Sequence, residues 1–232
     1  VWWLLFSIPF FKNINQKYWI EGKPEKASLV IRKLVNTFRE IFKDKNLLMF
    51  FIAYFFYIDG VHTIISMATP IAIDLKLGLS STELLMILLL IQMVAFPFAI
   101  LYGWLSKRWG SHRMIIIGIL TYCFIAGFGL FLDTRMDFLI LAFLVASAQG
   151  GLQALSSSYF GKLIPKTKSA EYFGVFNIFG KISSIFGPIL MGVVTQSTGN
   201  IQYGIVSLGI LFILGLVFFL RVKPNPVRLS EA

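Results

Sequence analysis

The stretch NLLMFFIAYFFYIDGVHTIISMATPIAI, from Asn46 to Ile73, decides the fold class. A bilayer is crossed by about 20 predominantly apolar residues, and this run is long enough to do so. Near its middle sits Asp59, with Gly60, His62 and Thr63 beside it. A carboxylate at that depth is costly, and such groups face a bundle interior or a water-filled path. Thr63 lies four residues on and shares the Asp59 face, with His62 one position round. This trio could bind a cation, a proton or a polar solute. The alternative is local: a carboxylate hydrogen-bonded for packing beside a helix break at Gly60.

The composition agrees with a membrane protein. Apolar residues make up 57% of the chain and charged residues only 14%, against about 25% charged in soluble domains. Mean hydropathy is +0.78. Pro and Gly fall inside apolar runs, as membrane helices tolerate. The single cysteine, Cys123, lies in such a run and cannot form an internal disulfide.

Six long apolar runs follow one another. They are Asn46–Ile73, Leu84–Leu105, Met114–Leu132, Phe138–Phe160, Glu171–Val194 and Tyr203–Leu220. The expected organisation is the end of a truncated membrane helix at 1–11, a basic loop at 12–45, a six-helix transmembrane domain at 46–220 and a tail at 221–232. Within the loop, apolar residues from Lys26 to Phe42 recur at helical spacing. They predict an amphipathic helix lying along the membrane surface. With no Met at its start and an opening run too short to span, the chain reads as a fragment that lacks an amino-terminal half.

The basic residues alternate by loop. Nine Lys and Arg lie in 12–45 and three in each of 106–113, 161–170 and 221–232. Only Lys76 and Arg135 lie in the intervening loops, and Lys181 sits within a run. The positive-inside rule places the basic loops in the cytoplasm, which fits a bacterial inner membrane. This placement also accounts for the net charge of +10 without nucleic acid.

Other polar groups inside the runs are candidates for a transport pathway. Gln92 lies in the second complete run, and Gln149 and Gln153 share a face of the fourth. Helix–helix contact by small and polar residues is the alternative for that face. Asn177 and Lys181 are four apart in the fifth run. Lys181 either snorkels to the cytoplasmic side or pairs with Asp59 across a narrow cavity. Gly187-Pro188 predicts a helix kink, since proline removes a ladder hydrogen bond. No His/Cys spacing suited to a metal, no phosphate-binding glycine loop and no nucleophile–base arrangement is present. The reading is therefore non-enzymatic, with no cofactor.

Three stretches carry a family resemblance. They are Tyr57-Ile58-Asp59-Gly60-Val61-His62-Thr63, then Gln149-Gly150-Gly151-Leu152-Gln153-Ala154-Leu155-Ser156, and Glu171-Tyr172-Phe173-Gly174 with Gly187-Pro188. With them, the chain resembles the carboxy-terminal half of a major facilitator superfamily transporter, in the group related to fungal vacuolar amino-acid effluxers. The loop motif Gly103, Arg108, Gly110 and Arg113 resembles that superfamily's loop signature, with Lys107 where the strong form has Asp. The departure removes the expected ion-pair latch, and leaves Arg108, Gly110 and Arg113 to turn the chain and meet anionic headgroups of membrane lipids. The resemblance implies an all-α six-helix bundle that forms half of a twelve-span fold. It implies alternating access for a small polar solute, with amino acids among the candidates and a proton or sodium ion as the coupled species. The alternative is a membrane-embedded structural or receptor-like module without transport.

Overall fold

The computed structural model describes Leu5, residues 7–9 and residues 27–224. The expectations for 12–26 and for 225–232 lie outside the described residues. The described chain forms eight α-helices from the first helix of the basic loop onward, and no strand among the described residues. They are α1 (Ala27–Lys43), α2 (Lys45–Asp74), α3 (Ser81–Trp109), α4 (Ser111–Phe128), α5 (Arg135–Leu163), α6 (Ser169–Ser183), α7 (Phe186–Thr198) and α8 (Ile201–Leu220). Helices α2, α3, α4, α5 and α8, together with the broken pair α6–α7, give 6 stretches long and apolar enough to cross a membrane.

The helices run past the apolar runs because polar residues cap them. Asp44 accepts hydrogen bonds from the Asn46 and Leu47 amides at 2.9 and 3.2 Å, which starts α2 with Asp44 alone between it and α1. Ser80 and Glu83 form a reciprocal capping box at α3, and Thr134 and Asp137 form another at α5. Each satisfies amides that the first helical turn leaves without partners. Between α3 and α4 the whole turn is Gly110. Its φ of 85° lies in the region that favours glycine.

The fifth run differs from its expectation. It is two helices, and the interruption falls at Ser184 and Ile185, upstream of Gly187-Pro188. Both of those residues lie in the first turn of α7. The physical reason is the reach of proline. Its ring excludes a helical bond to the carbonyl four residues back, which is that of Ser184. In the first turn of a new helix, the missing Pro188 N–H costs nothing.

The polar loops collect at two ends. At one end, the Asn46 side chain donates to the Lys223 carbonyl at 3.0 Å and accepts from its amide at 2.7 Å. There too Lys162 donates to the Ser111 hydroxyl at 3.3 Å, and a His112 ring nitrogen lies 3.1 Å from the Val222 carbonyl. Lys168 meets Glu40 at 2.7 Å at this end. At the other end, Arg135 donates to the Leu77 carbonyl at 2.7 Å and to that of Gly78, while Gln202 bonds Leu132 and Asp133. The described parts of all four basic segments therefore meet at one end of the bundle.

Aromatic rings fill the core near the basic end. Tyr54 and Phe176 stack at 4.2 Å, Phe160 and Phe176 at 4.7 Å, and Phe50 and Phe160 at 5.6 Å. These contacts tie α6 to α2 and α5. Farther along, glycines bring backbones together. A Cβ on Gly150 would meet the Ala95 carbonyl at 2.8 Å, and one on Gly215 would meet Tyr57 Cβ at 2.9 Å. Close approach through small residues is how membrane helices associate without a hydrophobic driving force. One side of α3 stays open, with Leu85, Met86, Leu89, Met93 and Phe96 exposed.

Candidate functional site

Asp59 is fully buried, and neither carboxylate oxygen has a hydrogen-bond partner among the described residues. Buried ionisable groups are ordinarily paired, so this one is anomalous. The Thr63 hydroxyl is adjacent but is used elsewhere, donating to the Asp59 backbone carbonyl at 2.7 Å. Two residues earlier, Tyr57 and Ser156 are 2.7 Å apart, joining α2 to α5.

The start of α7 faces this carboxylate. A Cβ on Gly187 would stand 3.0 Å from Asp59 Oδ1 and overlap Thr63 Oγ1. Only glycine lets the first turn of α7 come so close. The Gly187 amide stands against the carboxylate without reaching hydrogen-bonding geometry. No side chain caps α7, so its first-turn amides carry the positive end of the helix dipole toward the bundle interior. On the flank, Gly60 packs against the Phe212 ring. The arrangement is a buried carboxylate facing the amino end of a half-helix, directly after a break in the span.

The remaining candidates are dispersed. His62 is partly buried, one position off the Asp59 face. Gln149 is buried with its side-chain oxygen unpartnered, while Gln153 is half-buried. Gln92 is the only polar residue lining an apolar pocket between α2, α3 and α5, whose walls include Ile64, Ala68, Leu141 and Val145. Asn177 and Lys181 are exposed on α6. In the loop motif, Gly103 has open space beside it, and the Arg108 guanidinium lies 4.9 Å over the Trp104 ring. Arg113 is exposed at the start of α4.

The expected Asp59–Lys181 pair is not formed. Asp59 has no exposed surface, whereas Lys181 is exposed, and the salt bridges among the described residues do not join them. The reason is rotation about the helix axis. Gly180 and Ser183 turn the buried side of α6 inward, which leaves Asn177 and Lys181 on the opposite side. Two features escaped the sequence reading. One is the Tyr57–Ser156 contact, hidden within an aromatic run. The other is the partnership of Gly187 with Asp59 and Thr63, which only the folded chain brings together.

A family model described as "Vacuole effluxer Atg22 like" matches residues 1–228. The chain belongs to this Atg22-like family. Over 216 residues it is 46% identical to the uncharacterized MFS-type transporter YxiO of Bacillus subtilis (strain 168), covering 93% of this chain and 50% of that protein. Autophagy-related protein 22 of Saccharomyces cerevisiae (strain ATCC 204508 / S288c) is 30% identical over 194 residues, which is 79% of this chain and 37% of that protein. The fold also matches the crystal structure of an auto-inhibited POT family peptide transporter. That match has a TM-score of 0.65 at 21% identity and covers 79% of this chain and 39% of the other. The Atg22-like chain spans about half the length of the curated relatives it matches. It is an integral, multi-pass membrane protein of a transporter family of the major facilitator type.

Proposed function

We propose that this Atg22-like chain supplies one wall of a secondary active transporter, which moves a small polar solute by alternating access. Amino acids are the first solutes to test, because the sequence resembles the group related to fungal vacuolar amino-acid effluxers. The observation that carries the reading is Asp59, buried without a partner against the first turn of α7. A group that costs stability and sits where a span is broken is suited to exchange a cation during a conformational cycle. In this reading Asp59, with Thr63 and His62 beside it, takes up the coupled proton or sodium ion. The break at Ser184 and Ile185 lets α6 move relative to α7. Asn177, Lys181, Gln153 and Gln92 lie on open or half-open faces and contact the solute, and Gln149, buried with its side-chain oxygen unpartnered among the described residues, stands one turn before Gln153. The basic end faces the cytoplasm, in accord with the positive-inside rule.

The test is flux in proteoliposomes holding the full-length protein, with a panel of amino acids and an imposed proton or sodium gradient. Wild-type protein is expected to move at least one solute in response to one gradient, and Asp59→Asn to lose the gradient response while remaining folded. Unaltered gradient-driven flux in that variant would remove Asp59 from the mechanism. Retained partner or lipid binding with no flux of any solute by the wild type would favour a non-transporting module.

A further inference from the structure

Helix α1 has two faces with different fates. Leu34, Thr37, Phe38 and Ile41 turn toward the bundle, three and four residues apart as one face requires. Thr37 donates to Glu171 at 3.1 Å, and the Phe38 and Phe179 rings lie 5.7 Å apart. Glu40 accepts from Lys168 at 2.7 Å and from Tyr172 at 3.0 Å, and these bonds hold its carboxyl below the ordinary range. This face fixes α1 beside the opening turns of α6.

The other flank is unpartnered. Val35 and Phe42 are 53% and 58% exposed and sit seven residues apart in one row. Beside them runs a second row of Arg32, Arg39 and Lys43, all exposed, with no salt bridge among the described residues. The depth of this flank is fixed by its neighbours. Asp44 alone separates α1 from membrane-spanning α2, and Thr37 and Glu40 touch the start of the broken span α6. At the same end of the bundle, Trp104 and Trp109 are exposed at the foot of α3, beside Arg108. Exposed Trp with basic neighbours marks the headgroup level of a bilayer.

We propose that this flank of α1 docks into the bilayer surface by binding anionic phospholipid headgroups. Val35 and Phe42 enter the interface, and Arg32, Arg39 and Lys43 meet lipid phosphates. Apolar burial beside a basic row is the combination by which interfacial helices bind anionic membranes. Each basic residue near an anionic surface strengthens binding by about fivefold. Because the opposite face grips α6, lipid charge would bear on the half-helix that ends at the break.

The test uses the full-length protein in nanodiscs, with Cys123→Ala and one new cysteine carrying an environment-sensitive fluorophore. One labelled variant is Phe42→Cys, and a control is Ser197→Cys, exposed near the end of α7 at the other end of the bundle. Adding phosphatidylglycerol to phosphatidylcholine discs should blue-shift the probe at position 42 and leave that at 197 unchanged. High salt should reverse the shift by screening. Combining R32Q, R39Q and K43Q should weaken the phosphatidylglycerol dependence by on the order of a hundredfold. These three residues are exposed and make no salt bridge among the described residues, so gel filtration of the triple variant should match the wild type. Equal emission at position 42 in both lipid compositions would overturn the proposal. So would access of an aqueous quencher to the position-42 probe that is low and unchanged by lipid composition or salt, which would assign the flank to another part of the protein.

Discussion

Replacing Asp59 by Asn tests whether its burial serves function or stability. The two side chains have nearly the same shape, so packing against Gly187 and Thr63 is conserved. The change is in charge. A neutral amide buried without partners costs about 1–3 kcal/mol. An ionised carboxylate in the same place costs several kcal/mol. Asp59 is 0% exposed and neither oxygen is bonded among the described residues, so the nearby uncapped amides of α7 offset that cost only in part. D59N should therefore be more stable than the wild type, by on the order of 1–2 kcal/mol. Thermal unfolding of purified protein, followed by intrinsic tryptophan fluorescence, measures this directly. Flux per folded molecule, measured on the same preparation, should fall to background. Stability and activity should thus move in opposite directions, as expected where a strained group is kept for function. A D59N protein that unfolds earlier than the wild type would refute the reasoning, because it would mean that the carboxylate is a satisfied structural partner.

Three other outcomes follow from the geometry. Gly187→Ala should destabilise by about 1–3 kcal/mol through overpacking against Thr63 and Asp59, and adding Thr63→Ala should restore part of the loss in a double-mutant cycle. Glu40→Gln should speed amide exchange across α1, measured by hydrogen–deuterium exchange. Because the carboxyl of Glu40 is held below its ordinary value of 4.5, its anchoring should be constant from neutral pH down to that value and fade as pH falls below it. Cysteines placed at Asn36 and Ser197 should label from opposite sides of the membrane, with Asn36 protected from impermeant reagent in intact cells. Labelling of both from outside would reverse or abolish the assigned orientation.

The spans and their order were legible because length and hydropathy suffice to identify a membrane helix. Their ends are set by the caps Asp44, Ser80 and Thr134, which the apolar runs alone do not mark. The rotation of each span was not. In a soluble helix, water on one side and core on the other impose a period on the sequence, and α1 shows one. A span has lipid on one side and protein on the other, and both are apolar. That is why Lys181 and Asp59 could be placed at similar depth from sequence and yet face different ways. Depth follows from counting residues, but azimuth depends on which small residues admit a neighbour. Gly180 and Ser183 made that choice for α6, and nothing in their immediate sequence announces it.

The same limit explains how the site emerges. Gly187-Pro188 was legible as a local defect, and Asp59 as a local expense, each in its own span. Proline displaces the break upstream to Ser184 and Ile185, which turns Gly187 from a kink residue into the first turn of a new helix. Glycine at that position then admits Asp59 and Thr63 at van der Waals distance. Neither residue pair creates the site alone. With alanine in place of Gly187, the half-helix would be held off and the carboxylate left facing a gap. Without Pro188, the span could run through unbroken, and the amides now facing Asp59 would be spent on the helical ladder. A buried carboxylate beside uncapped amides can be held while charged and released when a cation neutralises it. Coupling between ion binding and the angle at the break is therefore the property to measure, and D59N and Gly187→Ala perturb its two sides separately.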